Sequence, residues 1–173
     1  MDAAARSGGL KQSAGGQTRP GCVSIMTVHR SKGLEFPVVF VADTAHQFNQ
    51  SDATRPVLTH SRLGVGVTLR APRAAKRFKT LPYAALAQAI RTETLSEEMR
   101  VLYVALTRAQ DALIITVPLK KTETAMKTPA LCAAAESTGS ESMRSMTSWS
   151  GWLLTAALLH PDSDALWEYT SFL

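Results

Sequence analysis

An α/β fold is what this chain predicts, and three observations carry the prediction. Two apolar runs, residues 23–28 and 37–42, flank a polar loop in VSIMTVHRSKGLEFPVVFVA. They are near-continuous rather than alternating, the pattern of strands in a sheet covered on both faces. A long stretch with helical apolar spacing, residues 81–109, then runs into a further apolar strand at 112–117.

The loop between the first two runs has chemistry suited to phosphate. His29, Arg30 and Lys32 bring donors and charge, Thr27 and Ser31 bring hydroxyls, and Gly33 allows close backbone approach. Glu35 is an acceptor suited to a sugar hydroxyl. Ligands of α/β sheets gather at strand ends, which makes this connection a candidate binding site. From composition alone, a merely solvated basic loop is the commoner outcome.

Taken in order, residues 1–20 are Ala-, Gly-, Ser- and Gln-rich and read as a disordered lead-in. The pairs Gly8-Gly9 and Gly15-Gly16 are not followed by Lys-Ser or Lys-Thr at phosphate-loop spacing, so no Walker A loop is present, and no acidic run ends a strand as in a Walker B site. Polar residues 43–56 predict a loop or short irregular helix. Residues 57–70 alternate around Gly64 and Gly66 and predict a hairpin. His60 within it reads as a surface or packing residue. The basic run Arg70, Arg73, Lys76, Arg77 and Lys79 faces either DNA phosphates or solvent.

Leu81, Leu86 and Ile90 begin the helical apolar stripe. Thr94 and Glu97 fit a capping box, which predicts a new helix from Leu95. Leu95, Met99, Leu102, Tyr103 and Leu106 then make one buried face, with Arg100 in a structural ion pair, to Glu97 or to another segment, and Arg108 at the helix end, able to reach out toward a neighbour. Residues 119–147 read as a flexible linker. Ser148 is a predicted N-cap for a helix over 149–159, with Trp152, Leu153, Ala156 and Leu159 on one face and both Trp149 and Trp152 packing rather than stacking on bases. Asp162, Asp164 and Glu168 lack a Lys or His to complete a nuclease site.

At 173 residues the chain has room for about one domain. Its net charge of +5 favours nucleic acid as a partner without establishing it. Cys22 and Cys132 lack metal-ligand spacing, and no metal-binding residue is expected. No apolar run is long enough to span a bilayer, so the expectation is a soluble, cytoplasmic chain.

Two blocks carry a family resemblance. TVHRSKGLEFPVVF (residues 27–40) resembles motif V of superfamily 1 DNA helicases of the UvrD/RecB type, and EEMRVLYVALTRA (residues 97–109) resembles motif VI. Within that family the similarity is greatest to the AddA-type helicase-nuclease components of AddAB recombination complexes. It spans residues 21–159, with one departure at Arg30, where Lys is commoner.

The resemblance implies a partial RecA-like second motor domain of the P-loop NTPase class over residues 21–118, its parallel sheet flanked by helices. Residues 148–173 would lead toward an absent nuclease domain. Arg108 would be the catalytic, ATP-sensing arginine; Gly33, Glu35 and Arg108 would meet the nucleotide, Glu35 at the ribose; Thr27 and His29 would touch single-stranded DNA. ATP with Mg²⁺ is the implied cofactor, its metal held by the first motor domain. The implied partners are DNA, that first domain and an AddB-like subunit. The implied role is ATP-dependent 3′–5′ unwinding and exonuclease action in double-strand break repair and recombination, with this chain alone inactive. The alternatives are the same half of a nuclease-free UvrD-type helicase and a non-catalytic DNA-binding remnant.

Overall fold

A computed structural model describes residues 22–70, 76–119, 121–135 and 139–163. The lead-in, Arg73, Asp164 and Glu168 lie outside the described residues. Among the described residues five strands and four helices follow one another: β1 (Phe36–Val41), β2 (Val57–His60), β3 (Gly64–Arg70), β4 (Arg77–Lys79), α1 (Leu81–Leu106), β5 (Ala109–Ile115), α2 (Thr122–Ala134), α3 (Ser140–Ser145) and α4 (Trp149–Leu159). β1 and β5 pair in parallel, Phe36 opposite Ala109 and Val41 opposite Ile115, with one irregularity between Phe36 and Val38. β2, β3 and β4 form a separate antiparallel sheet. The predicted α/β class, a parallel pair accompanied by helices, is the class observed.

The element that organises the rest is α1. Its 26 residues make a rod of about 39 Å. Thr80 caps its start, the hydroxyl accepting from the Tyr83 amide while donating to the Val67 carbonyl, and Pro82 sits in the first turn, where a missing N–H costs nothing. One end of the rod buries Tyr83, Leu86 and Ala87 against Leu58 of β2. The other end buries Leu102, flanked by Leu95 and Leu106, with Phe48, Cys132, Met146 and Trp152. The Phe48 and Trp152 rings meet at 4.8 Å, tilted by 43°.

The hairpin forms as its pattern requires. His60 pairs with Gly64 across a three-residue loop, and Gly64 has φ +82°, the left-handed residue such loops demand. The His60 side chain is only 5% exposed. Its Nδ1 accepts from the amides of Arg62 (3.2 Å) and Leu63 (3.3 Å), so Nε2 carries the proton and donates to Glu93 of α1 at 3.0 Å. His60 is thus a packing residue that clasps the turn to the helix. β4, within the basic run, extends the sheet, and its Arg77 and Lys79 are exposed.

Several expectations need correction. Residues 23–28 are not a strand: they run irregularly into a 3₁₀ turn at Val28–Ser31, and Val23 and Ile25 are each 93% exposed. Among the described residues no strand offers them a ladder, and an apolar run without one gains nothing from being extended. Nor is the parallel pair covered on both faces: Val38, Phe40, Leu113 and Ile114 are exposed. The last strand starts at Ala109 rather than 112.

No helix begins at Leu95. The Thr94 hydroxyl bonds back to the Ile90 carbonyl (3.0 Å) inside the continuous α1, so it caps nothing. On the predicted buried face, Leu102 is buried while Met99 and Tyr103 are exposed. The stretch read as a flexible linker holds α2 and α3; α2 packs against α4, burying Cys132 and Pro129. Its Ala, Lys, Glu and Met are good helix formers, and the burial they lack comes from tertiary contact. α4 has its expected bounds, but its buried face is Ser150, Trp152, Leu154 and Thr155, with Ala156 exposed. Ser148 occupies the N-cap position without capping; its hydroxyl shares a bond with that of Ser150.

Both tryptophans pack as expected: Trp152 Nε1 donates to the Met143 carbonyl and Trp149 Nε1 to Glu98. The predicted Arg100–Glu97 ion pair is present. Residues 43–56 include a short 3₁₀ turn at Ser51–Ala53. Threads from this segment join distant parts: Thr44 Oγ1 donates to the Thr116 carbonyl, the Ser150 amide to the Thr44 carbonyl, and the Phe48 amide to the Thr147 carbonyl. Among the described residues no helix is long and apolar enough to cross a membrane.

Candidate nucleotide and DNA site

The loop before β1 and the end of α1 are brought together by the parallel pairing. β1 and β5 start side by side, with the Phe36 amide donating to the Arg108 carbonyl at 2.9 Å. Arg108 therefore stands beside Leu34 and Glu35 although more than 70 residues separate them. Its guanidinium does not reach outward as expected. Nε donates to the Val104 carbonyl (2.9 Å), Nη1 to the Leu34 carbonyl (2.9 Å) and Nη2 to the Thr107 hydroxyl (3.0 Å). A carbonyl-rich helix end with a partial negative charge attracts a cation in this way. Five N–H groups are available on a guanidinium, so two remain to face a ligand.

Glu35 is exposed, and its Oε2 accepts from Gln110 Nε2 at 3.1 Å. Gln110 and the Leu34 carbonyl were missed by sequence reasoning. A glutamine two residues past Arg108 carries no signal on its own, and a backbone carbonyl carries none at all. Gly33 has φ +80°, and a Cβ built there would meet nothing within 4 Å. Space is therefore open, and the constraint is the backbone. Gly33→Ala should cost about 1–2 kcal/mol from left-handed strain alone. For a chain of this size that is a fall in Tm of roughly 2–8 °C, read by circular dichroism; an unchanged midpoint would show that the loop relaxes freely.

Thr27 and His29 lie on the other side of the same loop. The Thr27 carbonyl accepts from the amides of Arg30 (3.0 Å) and Ser31 (3.3 Å), closing the 3₁₀ turn, and both Thr27 and His29 are exposed. The turn packs against α1. Ser31 is the exception to the phosphate reading. It is buried, and its hydroxyl donates to the Val28 carbonyl at 2.8 Å, so it anchors the turn and offers no donor to a ligand. The structure thus joins Gly33, Glu35 and Arg108 in one place and carries Thr27 and His29 on the adjoining turn.

An α/β chain with this loop and helix-end arginine matches a known family model, that of the UvrD-like helicase C-terminal domain, over residues 9–120. The chain belongs to that family. It is similar to the ATP-dependent helicase/nuclease A-subunit of Moorella thermoacetica, 40% identical over 148 residues, which cover 83% of this chain and 10% of that protein. The protein of the same name from Lactiplantibacillus plantarum is 35% identical over 153 residues, 87% of this chain and 12% of that one. That of Ruminiclostridium cellulolyticum is 49% identical over 94 residues, 54% of this chain and 8% of that one. The chain spans about a tenth of the length of these relatives.

Proposed function

We propose that this chain is the later half of the second motor domain of an ATP-dependent DNA helicase/nuclease, working in double-strand break repair and recombination in the cytoplasm. The observation that supports the reading most is the junction of Arg108 with the Leu34–Glu35 backbone beside an open, left-handed Gly33. These residues fit a nucleotide: two guanidinium N–H groups remain for phosphate oxygens, the glycine leaves room for close approach, and one Glu35 oxygen remains for a ribose hydroxyl. ATP with Mg²⁺, held in the first motor domain, would supply the phosphoryl group. Arg108 would hold the charge that spreads over that group. Thr27 and His29 would contact the single-stranded backbone, and an AddB-like subunit would complete the enzyme.

Because one loop would carry both contacts, a shift of Arg108 toward phosphate would release the Leu34 carbonyl and move the DNA-facing turn. Each ligand would then bias the position of the other, which is the reciprocity of coupled sites. The purified chain is expected to show no ATP hydrolysis, lacking a Walker A loop. Grafted in place of the matching segment of the Moorella thermoacetica relative, it should support DNA-stimulated hydrolysis. A folded graft without that activity, or hydrolysis by the chain alone, would overturn the reading. The helicase/nuclease names of the relatives favour this over a nuclease-free helicase.

A further inference from the structure

A concavity of mixed polar and apolar lining lies away from the Arg108 junction, between α1, α3 and the segment following β1. It encloses about 200 Å³. Gln88, Arg91, Thr92 and Leu95 line it from α1, at the spacing that puts residues on one helix face. Arg144 and Thr147 line the opposite wall, and Gln50 and Phe48 complete it. The bond from the Phe48 amide to the Thr147 carbonyl, 2.7 Å, closes that wall.

Its charged residues are of one sign. Arg91 and Arg144 both line it, and no carboxylate is among its lining residues. Among the described residues neither Arg91 nor Arg144 forms an ion pair, whereas Arg55, Arg62 and Arg100 each do. The hydroxyl protons of Thr92, Thr94 and Ser145 are already spent on backbone carbonyls. What remains to donate is the two guanidiniums, the Gln50 and Gln88 amides and the Thr147 hydroxyl. Like charges facing one small space repel unless an anion joins them, and planar guanidiniums with amides suit tetrahedral phosphate oxygens.

We infer that this concavity is a phosphate site, and that it takes one backbone phosphate of a nucleic-acid strand. The inference rests on the proposed reading that the chain meets DNA, and it adds a contact remote from the loop that holds Thr27 and His29.

The test uses the full chain and a fluorescein-labelled 16-residue oligothymidylate, followed by anisotropy over a range of salt. Arg91→Gln with Arg144→Gln should weaken binding at least tenfold and flatten the log–log salt slope by about 0.7, the value for one phosphate contact on a single strand. Both side chains are exposed, so the thermal midpoint should not move. Arg91→Lys with Arg144→Lys should recover part of the affinity. Arg55→Gln with Arg62→Gln, which removes the same charge, should bind within twofold of the unaltered chain. Equal binding by the Arg91/Arg144 glutamine variant would overturn the inference. So would arginine-dependent binding of inorganic phosphate or ADP without binding of the strand. If Thr27→Ala with His29→Ala weakens binding while the Arg91/Arg144 variant does not, the inference fails and the proposed function stands; if neither weakens it, both fail.

Discussion

Replacing Arg108 with alanine, in the graft described above, should lower kcat for DNA-stimulated ATP hydrolysis by about 10³–10⁵, the range for arginines that reach a transferring phosphoryl group. Single-stranded DNA should still bind, since the Thr27–His29 turn is closed by its own backbone bonds, but its affinity should no longer respond to nucleotide, since Arg108 no longer holds the Leu34 carbonyl. A structural effect accompanies the chemical one. The alanine variant loses three hydrogen bonds, to Val104, Leu34 and Thr107. Thermal midpoint and kcat must therefore be measured together. Arg108→Lys separates the two roles: it keeps a cation near the helix end but has no planar fork for phosphate. It is expected to recover part of the midpoint and almost none of kcat. If kcat survives in either variant while the midpoint falls, Arg108 is a clasp between helix and loop and nothing more.

Gly66→Ala should be the most damaging single change to the fold. A Cβ at Gly66 would sit 2.7 Å from the Tyr83 Cα, 2.8 Å from its amide nitrogen and 3.1 Å from the Pro82 carbonyl carbon. All three are backbone atoms of the first turn of α1, so no side chain can rotate away. The sheet and the helix must separate, which opens the Leu58–Tyr83–Leu86 cluster. Overpacking usually costs about 1–3 kcal/mol, and a clash between two backbones belongs at or above the top of that range. Urea denaturation followed by tryptophan fluorescence and far-ultraviolet circular dichroism would read it. A midpoint within error of the unaltered chain would mean that the close approach of β3 to α1 does not hold in solution.

Gly66 also illustrates what was legible. Alternation around two glycines announced the hairpin, and Gly64 is the turn residue it required. That Gly66 marks the helix crossing was invisible, because nothing in its neighbours names Tyr83 as the residue above it. The long helix was readable from its apolar spacing, yet Thr94 and Glu97 suggested a break that the Ile90 carbonyl annuls by taking the hydroxyl. Residues 23–28 have strand composition without a neighbouring ladder. Conversely, α2 has an ordinary polar composition and a buried Pro129, and is held by α4. Both errors have one origin: local propensity is weak, and the deciding contact is remote. Of the candidate site, loop chemistry alone pointed to Gly33 and Glu35. Only the likeness of two distant blocks to helicase motifs joined them to Arg108. Gln110 was beyond reach, since its role is defined by a bond to Glu35 across 75 positions.

The pairing of β1 with β5 has a consequence for how the chain reaches its native state. The hairpin and the rod beside it are built from near neighbours and can nucleate early. The parallel ladder must close a segment of more than 70 residues before it returns any enthalpy, since Arg108 and Leu34 stand 74 positions apart. Encounters of that span are the slow ones in folding. The Arg108–Leu34 junction is thus expected to assemble after the hairpin and the rod that it depends on.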